Sequence, residues 1–74
     1  MIVFLAELIT THFDFQAIGA TEEEARQALE RGWQGHRREY SHAHVSPFSD
    51  FAEEVRVTEM KIGEAYRDQE RITR

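Results

Sequence analysis

The sequence predicts a small α+β fold, in which an antiparallel three- to four-stranded sheet carries one main helix on one face. Two neighbouring apolar segments near the N-terminus have strand character, a threonine-capped segment has helical spacing, and a further alternating segment follows it. The expected order is β-β-α-β, with a short fourth strand as an option. Because 74 residues leave room for one small core, we treat residues 1–74 as a single domain.

The first two strands are predicted over residues 2–9, IVFLAELI, and residues 13–19, FDFQAIG. Both alternating sets of the first segment are apolar except at Glu7, and a strand of this kind is usually covered on both faces. The second segment alternates more cleanly, as a half-buried strand does. We expect residues 10–12 to connect the two strands as an antiparallel hairpin.

The helix is predicted to begin after Thr21 and to run from residue 22 to at least residue 34, or as far as residue 39. Thr21 can accept a hydrogen bond from the amide of Glu24, and the Glu24 side chain can return to the amide of residue 21, as in a capping box. One stripe at helical spacing should face the sheet. It consists of Ala25, Ala28, Leu29, Trp33, His36 and Tyr40.

A turn-rich segment follows the helix. Within it, residues 49–53, SDFAE, are predicted to form one helical turn capped by Ser49. Residues 54–62, EVRVTEMKI, return to a strand pattern. Their apolar positions change parity near residues 58–59, which predicts a bulge or bend. For residues 63–74 the sequence leaves open a short strand or a partly disordered tail.

Four residues around the helix end are candidate metal ligands: His36, His42, His44 and Asp50. In an extended chain, residues 42 and 44 would point to the same side, and zinc or nickel accepts imidazole and carboxylate ligands. This spacing also occurs by chance in polar loops. We favour solvated loop histidines, with His36 near the helix C-terminus, and predict neither a metal site nor a cofactor.

Composition narrows the classes of function. The net charge of −5 disfavours contact with phosphate backbones, so no nucleic-acid partner is expected. No apolar run approaches the roughly 18 residues of a membrane span, and the absence of cysteine suits a cytoplasmic location. The sequence contains no nucleophile elbow and no phosphate-binding loop, which favours a protein without enzymatic activity.

The first predicted strand is apolar on both faces, but one helix can cover only one of them. This predicts a partner on the second face. If its even-numbered residues meet the helix, the outward side carries four apolar residues that we assign to partner binding: Val3, Leu5, Ile9 and Ile18. A homodimer, face-to-face or edge-to-edge, would bury them and stabilise so small a core. The alternative is intramolecular cover by residues 41–53 and the C-terminal tail.

A hairpin followed by a Thr21-capped TEEEA helix resembles the first half of HicB-like antitoxins, over residues 2–30 at most. The sequence carries neither their Pro-Asp-Leu-Pro-Gly motif nor a DNA-binding tail, so the resemblance implies a similar fold alone. We predict a non-enzymatic, cytoplasmic protein-interaction module that self-associates through its sheet. One alternative is a small histidine- or metal-dependent enzyme. The other is an acidic inhibitor or anti-defence protein that mimics nucleic-acid charge through Glu22, Glu23, Glu30, Glu53, Glu54, Glu59 and Glu64.

Overall fold

A computed structural model describes residues 1–41 and 43–73 and confirms the α+β fold. The main sheet is antiparallel, with strand order β2-β1-β3, and β4 and β5 form a second, two-stranded sheet. The elements are β1 (Ile2–Ile9), β2 (Asp14–Gly19), α1 (Glu22–Glu39), two 3₁₀ turns (Phe48–Asp50 and Ala52–Glu54), β3 (Arg56–Lys61), β4 (Tyr66–Arg67) and β5 (Glu70–Arg71).

β1 is the central strand and supplies the middle of the core. Ala6 lies opposite Ala17 of β2 and Val57 of β3, and Leu8 lies opposite Phe15. These side chains share the face that α1 covers, and Ala6 and Leu8 are fully buried there. The predicted assignment of the even-numbered β1 residues to the helix side is therefore correct at these two positions.

α1 begins as its sequence predicts and follows the longer of the two predicted lengths. The Glu24 amide donates to Oγ1 of Thr21 at 3.1 Å. The Glu24 carboxylate accepts from the amide of Ala20 at 3.1 Å rather than from that of Thr21, so the reciprocal half of the predicted capping box lies one residue earlier. Of the predicted stripe, Ala25, Leu29 and Trp33 are buried against the sheet.

Gly19 ends β2 where the chain passes closest to the first turn of α1. A Cβ atom at this position would lie 2.5 Å from the backbone nitrogen of Ala25 and 2.9 Å from the carbonyl carbon of Glu24. Backbone atoms inside a helical turn cannot move aside as a flexible side chain can. The absence of a side chain at Gly19 therefore lets the helix lie directly on the sheet.

Two predictions for the segment after the helix are wrong. The first 3₁₀ turn begins at Phe48, and its N-cap residue Pro47 makes no side-chain hydrogen bond, so Ser49 is not the cap. β3 pairs with β1 without interruption, from Lys61 opposite Ile2 to Arg56 opposite Glu7, so the predicted bulge is not formed. The change of parity arises because β3 has apolar residues on both faces.

Candidate functional site

The open face, which we define as the side of the main sheet turned away from α1, carries the four residues predicted to bind a partner. Leu5 lies opposite Ile18, and Ile9 lies opposite Asp14. Val3 and Leu5 are half-buried. Ile9 and Ile18 are each 67% exposed, although isoleucine is among the residue types most often buried.

A row of polar side chains crosses the middle of the open face, and sequence analysis missed it. Gln16 Nε2 donates to Oε2 of Glu7 at 2.7 Å, and Gln69 Nε2 donates to Oε1 of the same carboxylate. The Thr58 hydroxyl donates in turn to Oε1 of Gln69. Glu7, the single polar residue inside β1, was the available signal, because a half-buried carboxylate calls for donors.

Gln69 belongs to the C-terminal hairpin of β4 and β5, so of the two alternatives left open for this segment the structure has the short strand. Asp68 and Gln69 have φ angles of 51° and 67°, as the two central residues of a type I′ turn require. The hairpin meets β3 through the Tyr66 hydroxyl, which accepts from the Lys61 amide at 2.8 Å. Tyr66 and Gln69 thus join the hairpin to the main sheet through side-chain hydrogen bonds.

Intramolecular cover of the open face is partial. The hairpin lies over the Glu7 and Thr58 region, whereas Ile9 and Ile18 stay exposed. The loop after α1 does not contribute in the predicted way. Its Ser46 carbonyl accepts from Nε1 of Trp33 at 2.9 Å, and Phe51 packs against the helix-side core, so this loop closes the core rather than the open face.

Gln69→Ala should release the hairpin while leaving the main sheet folded. The change removes the bonds to Glu7 and Thr58, and a charge-assisted hydrogen bond contributes about 1.5–3 kcal/mol. We expect amide exchange at Ile72, whose N–H donates to Ala65, to accelerate by about tenfold or more.

Gln16→Ala is the matched control, because it removes a bond to the same carboxylate without touching the hairpin. Exchange measured by NMR should leave Ile72 protection in this variant close to that of the unchanged protein. Equal acceleration in both variants would show that Gln69 does not hold the hairpin in place.

The candidate metal ligands are not brought together within residues 1–41 and 43–73, where no group of three histidine, aspartate or glutamate side chains could hold an ion. His42 lies outside the described residues. His44 is exposed in the loop, and Asp50 ends the first 3₁₀ turn. His36 instead packs among aromatic rings.

An aromatic cleft of about 600 Å³ opens beside the C-terminal half of α1. The imidazole of His36 lies 4.8 Å from the Tyr40 ring and 5.6 Å from Trp33, measured between ring centroids. Phe13 stands 5.1 Å from His36, and Phe51 stands 5.1 Å from Trp33. The helical stripe predicted three of these five residues, whereas the two phenylalanines join from the β1–β2 turn and the 3₁₀ segment.

The glutamates of the charge-mimic alternative lie on α1, the second 3₁₀ turn, β3 and the turn that follows it. Among the described residues, no helix has the length and apolar character needed to cross a membrane. Comparison with protein-family models, with curated proteins and with solved structures finds no match to the chain.

Proposed function

We propose that the protein is a non-enzymatic interaction module that forms a homodimer by antiparallel pairing of β2 with β2 of a second copy. The observation that carries the proposal is Ile18, which is 67% exposed on an edge strand of the main sheet. The proposal includes a cytoplasmic location, which the cysteine-free sequence favours.

β2 is suited to pairing with another strand. In the described part of the chain, no strand pairs with its outer edge. Edge strands are commonly protected by lysine, proline or a bulge, and β2, DFQAIG, contains neither residue and pairs with β1 in uninterrupted register. Asp14, its one charged residue, stands at the start of the strand. A two-fold antiparallel pairing would therefore hold the two Asp14 carboxylates at opposite ends of the paired strands, away from each other.

The surface area of the chain leaves room for an interface of ordinary size. A folded monomer of 8.7 kDa exposes about 4,700 Å², whereas this chain exposes 5567 Å². A standard interface takes ~800 Å² from each partner, which is a small part of this surface. The radius of gyration of 13.5 Å also exceeds the ~11 Å expected for a domain of this length.

Edge pairing is favoured over face-to-face packing because the C-terminal hairpin occupies part of the open face. Gln69 is 9% exposed and bonded to Glu7, so a second sheet could not lie flat over that region. Pairing at β2 leaves the hairpin in place. It would also place Ile18 of both copies on one face of a continuous sheet, because an isologous contact uses the same patch of both copies.

Ile18→Asp should dissociate the dimer. Sedimentation equilibrium at submillimolar protein should give the unchanged chain twice the mass of its 8.7 kDa protomer. We expect the dissociation constant of the variant to rise by about 100-fold or more, because each dimer would bring two added carboxylates into the interface. Circular dichroism of the variant should still show a folded chain, since Ile18 is outside the core.

Ile62→Asp is the control, since Ile62 is 60% exposed but follows β3 on the far side of the sheet. Its dissociation constant should stay within about threefold of that of the unchanged protein. A monomeric unchanged protein, or equal weakening by both variants, would contradict the proposal. Raising the salt concentration should not weaken the dimer, whereas an acidic mimic bound to a basic partner would lose affinity.

A further inference from the structure

The aromatic cleft combines exposed rings with a negative charge. Phe13 and Tyr40 remain 45% and 37% exposed although both lie in the ring cluster. Glu54 borders the same cleft, and its described lining includes no lysine, no arginine and no other acid. Ring faces carry negative electrostatic potential, so the rings and the carboxylate both favour a positively charged ligand.

We propose that this cleft binds a hydrophobic cation of the quaternary ammonium class, with the ammonium head against the ring faces on the side of Glu54. Aromatic clusters attract such cations because ammonium groups without N–H bonds are weakly hydrated and interact with ring faces. Anions of the same size would be repelled by both the ring faces and the carboxylate. The protein as a whole is also acidic, with a net charge of −5.

The walls of the cleft are held in place before any ligand arrives. Trp33 is 4% exposed, and its indole N–H is fixed by the Ser46 carbonyl at 2.9 Å. Phe51 lies against the indole with a centroid separation of 5.1 Å. A volume of about 600 Å³ falls within the ordinary range of small-molecule sites, so a ligand the size of a substituted benzyl group fits.

Binding at the cleft is separable from pairing at β2. Ile18 does not line the cleft, and the cleft residues nearest to β2 belong to the β1–β2 turn at the opposite end of that strand. Ligand binding can therefore be tested even if the protein is monomeric, and dimer formation can be tested even if the cleft binds no ligand.

Benzyltrimethylammonium is the probe, and the sole tryptophan of the sequence, Trp33, is the reporter. Titration at mildly alkaline pH, above the ordinary range of histidine protonation, should change Trp33 fluorescence saturably. Benzyl alcohol and benzenesulfonate serve as the neutral and anionic comparisons. We expect the cation to bind at least about fivefold more tightly than either.

Glu54→Gln should weaken binding of the cation by about threefold without changing that of benzyl alcohol. Glu53→Gln is the matched control, because it removes the same charge from the neighbouring residue, which does not line the cleft. Absence of saturable binding, equal affinity for the cation and the anion, or equal effects of the two substitutions would each overturn the proposal.

Discussion

Gly19→Ala should remove most of the stability of the fold, although it adds a single methyl group. The new Cβ would lie 2.5 Å from the Ala25 nitrogen, far inside van der Waals contact. Relief requires the first turn of α1 to lift from the sheet, which would open the packing of Ala25 and Leu29. We expect a loss of about 3 kcal/mol, against a net stability of ~3–5 kcal/mol for a domain of this size.

Gly32→Ala provides the control for the same chemical change. Its Cβ would meet nothing within 4 Å, and the residue lies in the interior of α1. Alanine should therefore stabilise the helix by about 0.5–1 kcal/mol. Thermal unfolding followed by circular dichroism should show a large fall in melting temperature for one variant and a rise for the other. A melting temperature of Gly19→Ala near that of the unchanged protein would mean that the chain does not pass so close to the helix.

Leu8→Ala should destabilise the protein by about 2–5 kcal/mol, the usual range for a fully buried leucine. Leu8 is 1% exposed and packs in the cluster formed by the sheet and α1. Truncation removes its transfer free energy and leaves a cavity between the sheet and α1. Urea unfolding at low protein concentration measures this loss on the monomer.

Leu5→Ala tests the same substitution in the same strand, three residues away, on the open face. Leu5 is half-buried beside Ile18 and the C-terminal hairpin, so its loss should cost about 1 kcal/mol. The contrast between the two leucines measures how unequally β1 is covered. Equal losses would show that the open face is packed as tightly as the helix side.

Local patterns were sufficient to predict the main elements. The alternation in residues 2–9, the Thr21 cap and the helical stripe each depend on neighbours within a few positions, and the structure places β1 and α1 accordingly. Local rules also placed the exposed Ile18 on the outward side of the sheet. Such rules operate wherever one face of an element must be buried.

Features that depend on distant residues were not predictable. The bond between Glu7 and Gln69 joins positions 62 residues apart, and no spacing in the sequence indicates it. Gly19 was not predictable for the same reason. A side chain is excluded at this position only because α1 folds back onto β2. The aromatic cleft was predictable only in part. The helical stripe contains Trp33, His36 and Tyr40, but it does not indicate which rings of other segments contact them.

Isotope-filtered nuclear Overhauser spectroscopy on a mixture of labelled and unlabelled chains tests the central claim most directly. Antiparallel pairing at the edge predicts intermolecular contacts between backbone protons of Asp14–Gly19 in the two copies, together with contacts to the Ile18 methyl groups. Intermolecular contacts confined to other surfaces, or none at concentrations where sedimentation reports a dimer, would contradict pairing through β2.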